Sequence, residues 1–68
     1  MQAVNSTYIA EIGYDPERRE LRVRHKSGVE DVFQGVEQDI YDQLLLAESK
    51  GSFVRSVLRA QFPSHREP

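Results

Sequence analysis

The sequence predicts a single α+β domain, a three-stranded antiparallel meander followed by two short α-helices packed on one face (β-β-β-α-α). Three observations predict it. Apolar and polar residues alternate over residues 7–14 and again over 20–25, which is the period of a half-buried strand. Turn chemistry follows each run, in Asp15-Pro16-Glu17 and Lys26-Ser27-Gly28. After Gly35 the apolar spacing changes to that of amphipathic helices.

The first strand is expected from about Thr7 to Tyr14, with Tyr8, Ala10, Ile12 and Tyr14 on one face and Ile9, Glu11 and Gly13 on the other. Pro16 presets the second position of the turn, and the Asp15 side chain can bond a downstream amide. The second strand, Glu20 to His25, puts Leu21, Val23 and His25 on one face and Arg22 and Arg24 on the other. Register of the third strand depends on the Lys26-Ser27-Gly28 loop. A three-residue loop with a left-handed glycine pairs His25 with Val29 and Leu21 with Phe33. A two-residue loop would slip the register by one and bury Val32 in place of the larger Phe33, so the first is preferred.

A helix is expected from about Gln38 to Glu48, with Glu37, Asp39 and Asp42 near its start, where the helix dipole favours negative charge. Ile40, Leu44 and Ala47 form its apolar stripe. Ser49-Lys50-Gly51 reads as its stop, the glycine taking the left-handed position, and Ser52 as the cap of a second helix, Phe53 to Ala60. Phe53, Val54, Val57 and Leu58 face inward on it. Residues 1–68 thus form one domain, with its core over about 5–63 and a frayed end over 64–68.

Composition narrows the function classes. At 68 residues without cysteine, the core must hold the fold without disulfides or thiolate-bound zinc. A core of this size supplies about 3–5 kcal/mol, so marginal stability or a dimer is expected. No signal peptide is expected from MQAVNSTYIA, and the longest apolar run, Leu44-Leu45-Leu46-Ala47, is far too short to span a membrane, so a cytoplasmic protein is expected. The formal charge is only −2, but it is segregated: residues 18–26 are basic, 30–48 acidic, and 49–68 basic again.

No enzyme is expected. There is no thiol, and neither His25 nor His65 stands at helical spacing from an acid that would orient it. His25 reads as a side chain covering the core edge. Glu37, Asp39 and Asp42 are explained by the helix dipole, no calcium-loop pattern is present, and neither a metal nor a cofactor is expected. Lys50-Gly51-Ser52 reverses the order of a nucleotide loop and is entered from a helix, which leaves only a single-phosphate contact at the start of the second helix. Arg55 and Arg59 lie one turn apart on that helix, on the face opposite Phe53, Val57 and Leu58. They are either a solvated face or a contact to a nucleic-acid backbone.

The run Asn5-Ser6 … Ile9-Ala10 … Ile12-Gly13-Tyr14-Asp15 … Leu21-Arg22-Val23, then Ser27-Gly28, Phe33 … Gly35-Val36, Tyr41 … Leu44-Leu45, Ser49-Lys50-Gly51-Ser52-Phe53 … Arg59 … Phe62-Pro63 resembles the KTSC domain. That short module occurs at the C-terminus of some lysyl-tRNA synthetases and as a free-standing bacterial or phage protein. The resemblance covers residues 5–63 and implies RNA binding as the suggested role. The chain departs from the pattern at Asp31-Val32-Phe33, where the family has Tyr-x-Tyr, at Glu37 in place of proline, and at Val54-Arg55. Asp31 there removes a stacking ring and adds charge that repels phosphate. The leading expectation is a non-catalytic module binding RNA or tRNA, with Lys50, Arg55 and Arg59 on phosphate and Arg22 and Arg24 as a second patch. The rival is a protein-interaction module, homodimeric through an apolar helix surface or a sheet edge, with no role on nucleic acid.

Overall fold

The computed structural model describes residues 1–67. It is an α+β fold whose described residues form a five-stranded antiparallel meander, not a three-stranded one, in the order β1-β2-β3-β4-β5. The strands are β1 (Gln2–Ala3), β2 (Ile9–Asp15), β3 (Glu20–His25), β4 (Glu30–Phe33) and β5 (Ser64–Glu67). Between β4 and β5 lie α1 (Gln38–Leu46) and a second helical run, residues 50–61.

The central register is the one expected: Leu21 pairs with Phe33, Arg22 with Val32, and Arg24 with Glu30. Gly28 has φ +98°, and its N–H donates to the His25 carbonyl at 2.9 Å, which closes the three-residue loop. β2 departs from simple alternation. Its register shifts between Ile9 and Glu11, so an extra residue at Ala10 brings Ile9 and Ile12 onto the same buried face. Tyr8, expected on the Ile12 face, is 64 % exposed.

The end expected to fray is an edge strand. β5 pairs Ser64 with Phe33, His65 with Val32, Arg66 with Asp31 and Glu67 with Glu30. The chain returns because the Pro63 carbonyl accepts the Gln34 N–H at 3.0 Å, which delivers residues 64–67 to the open edge of β4. Pro68 lies outside the described residues.

The helix boundary also differs from expectation. Ser49, not Ser52, caps the second run: its Oγ accepts the Ser52 N–H at 3.3 Å. Gly51 therefore lies inside α2 (Lys50–Phe53) and does not end α1, which stops at Leu46 with Ala47 extended. After α2 the helix widens into a π-helical stretch, Val54–Leu58, where the Arg59 N–H reaches back to the Val54 carbonyl, before the last turn α3 (Arg59–Gln61).

Ile9, Ile12, Leu21, Val23 and Phe33 from the sheet meet Val36, Leu44, Val54 and Leu58 in one core on the helix-covered face. Tyr14 closes one end of it. Its hydroxyl donates to the Val36 carbonyl at 2.6 Å, and its ring stacks on Tyr41 with centroids 4.9 Å apart.

Candidate functional site

The five basic residues singled out by the sequence separate into two groups. Arg22 and Arg24 project from the sheet face opposite the core and are engaged by acids. Arg22 meets Glu30 at 2.7 Å, Glu20 at 2.8 Å and Glu67 at 3.1 Å. Arg24 meets Glu11 at 3.0 Å and Glu30 at 3.1 Å. The hydrogen bond from Arg22 holds the Glu30 carboxyl below the usual range against the opposing effect of burial. The structure does not bring this pair to the surface that carries Arg55 and Arg59.

Arg55 and Arg59 instead line a cleft of about 350 Å³ between the second helical run and the start of the β3–β4 loop. Its apolar floor is Ile9, Val29 and Val54. Arg66 from β5 joins the two helix arginines, and His25 and Tyr8 complete the walls. An adjoining cleft of about 530 Å³ is polar, lined among others by Asn5, Ser6, Lys26, Ser49 and Lys50, with Glu48 as its one acid. Tyr8, Gly51 and Arg55 belong to both clefts.

Beside the first cleft lies Asp31, whose side chain is only 7 % exposed. It accepts hydrogen bonds from His25 Nε2 at 2.7 Å, Arg66 Nε at 2.9 Å and Arg59 Nη2 at 3.0 Å. A carboxylate only accepts, so Nε2 of the imidazole carries the proton. Burial pushes the Asp31 carboxyl up, but the bonds from Arg66, His25 and Arg59 outweigh it and hold the group down at about 2. The acid therefore stays ionised and fixes two arginines and a histidine along one wall. His25 does have an orienting acid, across the strand pair and not along a helix.

The remaining cations differ in availability. Arg55 makes no ion pair among the described residues; its one side-chain bond is Nη2 to Ser52 Oγ at 3.4 Å. Lys50 Nζ donates to the Ala47 carbonyl at 3.1 Å, so it also closes the end of α1. The amide contact expected at Ser52 is taken by Ser49. Asp31, His25, Arg66, Lys26 and Tyr8 were not legible as members of this site. One signal for Asp31 was present: the expected register puts it opposite Val23, an acid on the apolar face, where only a partnered carboxylate is stable.

Among the described residues, no helix is long and apolar enough to cross a membrane. The KTSC domain model matches residues 5–62. A protein of Tsukamurella paurometabola is 37 % identical over 62 residues, covering 91 % of this chain and 92 % of its own. The crystal structure of a KTSC domain protein from Yersinia pestis superposes with a TM-score of 0.88 at 31 % identity, over 98 % of this chain and 94 % of that one. Matched from the bulged second strand to the end of the second helical run, the chain belongs to the KTSC domain family.

Proposed function

We propose that this domain is a non-catalytic binding module for RNA, taken by its phosphates along the Arg55 edge of the two clefts. The observation that carries this reading is the contrast between its arginines. On the opposite sheet face Arg22 and Arg24 are matched by Glu11, Glu20, Glu30 and Glu67, whereas Arg55 stands exposed with no carboxylate partner among the described residues. In an overall negative chain, Arg55 together with Lys26 and Lys50 outnumbers Glu48, the one acid lining that cleft, which makes a local surface suited to a polyanion. Arg59 and Arg66, held by Asp31, supply oriented donors next to it. A role on RNA fits the cytoplasm.

The test is a titration of single-stranded RNA and tRNA at two salt concentrations. Each phosphate contact contributes about −0.7 to the slope of log K against log salt for single strands, so three contacts give a slope of about −2. Arg55→Glu is expected to weaken binding by about tenfold or more, while Arg22→Gln leaves it within about twofold. RNA recovered intact after prolonged incubation shows that the domain binds without cleaving it. Absence of association at low salt, or equal affinity for wild type and Arg55→Glu, overturns the proposal.

A further inference from the structure

The two clefts are unlike in chemistry and are divided by the same pair of side chains. A methyl group built on Gly51 would stand 3.7 Å from Tyr8 Cδ2 and 3.7 Å from Arg55 Nη1, so the phenol ring and the guanidinium both close over this one glycine. On one side of them lies the cleft floored by Ile9, Val29 and Val54. On the other lies the polar cleft with Ser49, Lys26 and Lys50, where the two lysines and Arg55 outnumber the single acid Glu48. Both volumes fall in the range of about 300–1,000 Å³ usual for small-molecule sites.

Resting on the RNA reading above, we infer that this pair of clefts is a subsite for one unpaired nucleoside phosphate, with the base in the apolar-floored cleft and the phosphate in the polar one. A base presents a flat apolar face and a polar edge. Ile9, Val29 and Val54 offer the apolar contact, the Tyr8 ring and Arg55 guanidinium are both planar groups on which a base stacks, and His25 and Arg59 stand at the wall with polar atoms for its edge. A phosphate is small, hydrated and anionic, which matches hydroxyls and ammonium groups and excludes the apolar side. Tyr8 fits this role better than a structural one: it is 64 % exposed at the boundary, while its chain neighbour Ile9 is fully buried in the core. A paired base, stacked within a duplex, does not present its face to such a cleft.

The occupant is either a nucleotide in an RNA strand or a free nucleotide, and the experiment separates the two. Adenosine 5′-monophosphate, adenosine, ribose 5-phosphate, a short single-stranded oligoadenylate and a duplex of the same length are titrated against the intact chain at low salt. The reporters are tyrosine fluorescence and the amide resonances of Tyr8 and Gly51. The nucleotide is expected to bind at least about tenfold more tightly than either of its halves, and the single strand more tightly than the duplex. Tyr8→Ala is expected to weaken the single strand by about 5- to 100-fold, as loss of one stacked base does, while Tyr8→Phe keeps nearly full affinity. A strand bound far more tightly than the mononucleotide supports RNA as the source; equal affinity supports a free nucleotide. Tyr8→Ala binding like wild type, with duplex equal to single strand and Arg55→Glu still impaired, overturns the subsite and leaves phosphate binding standing. No binding by any probe overturns both.

Discussion

His25 Nε2 and Asp31 Oδ2 are 2.7 Å apart, joined across the β3–β4 pair on the helix-covered side of the sheet. The same carboxylate receives Arg59 from the second helical run and Arg66 from β5. One buried acid thus ties together the hairpin, the helix and the last strand.

That arrangement predicts a specific acid sensitivity. Against the upward push of burial, the bonds from Arg66, His25 and Arg59 hold the Asp31 carboxyl down at about 2 in the folded chain, against about 3.9 in an unfolded one. Its contribution is complete above about pH 4 and is lost as the pH falls toward about 2. A depression of this size is worth about 2 kcal/mol, a large part of what so small a core supplies. Asp31→Asn is expected to lower stability at neutral pH by about that amount, and the gap from wild type to shrink as pH drops through the window. Urea unfolding at a series of pH values measures it; a gap independent of pH contradicts the prediction.

Removal of residues 64–68 is expected to unfold most of the population. Val32 is fully buried although it lies on the sheet face away from the core, where His65 and Arg22 are its register partners. Exposing a valine costs about 2 kcal/mol, and the β4–β5 ladder is lost with it. Arg66→Ala, which leaves His25 and Arg59 on Asp31, is expected to cost clearly less. Circular dichroism through a urea titration compares them; a truncated chain as stable as wild type removes the structural role of β5.

Gly51→Ala is expected to stabilise the chain by about 0.5–1 kcal/mol, because alanine is the better helix former and the new methyl meets only ordinary contacts at 3.7 Å. Gly28→Ala, by contrast, forces a side chain into φ +98° and is expected to cost about 1–2 kcal/mol. Opposite signs in unfolding experiments support the helix boundary at Ser49. A loss at both positions supports a left-handed Gly51 and contradicts it.

The α+β class, the β3 limits, the Leu21–Phe33 register and the Gly28 turn follow from local pattern, because side-chain alternation and loop length fix them within a dozen residues. The bulge at Ala10 does not, since alternation alone cannot reveal an extra residue and so assigns Ile9 to the wrong face. Ser49 and Ser52 are both good caps by type, and only the backbone, extended at Ser49, selects between them.

What the sequence by itself determined is therefore the short-range order of the β3–β4 hairpin, with its turn at Gly28, and that Arg55 and Arg59 share a helix face. Tertiary structure alone decided that Ser64–Glu67 pairs with β4, because an open strand edge is satisfied by whatever chain returns to it and four polar residues carry no strand signal. It also decided which arginines are matched. Glu30 and Glu67 reach Arg22 across strands, Asp31 gathers Arg59 and Arg66 from distant segments, and Arg55 is left exposed beside Tyr8. Charge pairing depends on distance in space, and distance in sequence does not supply it.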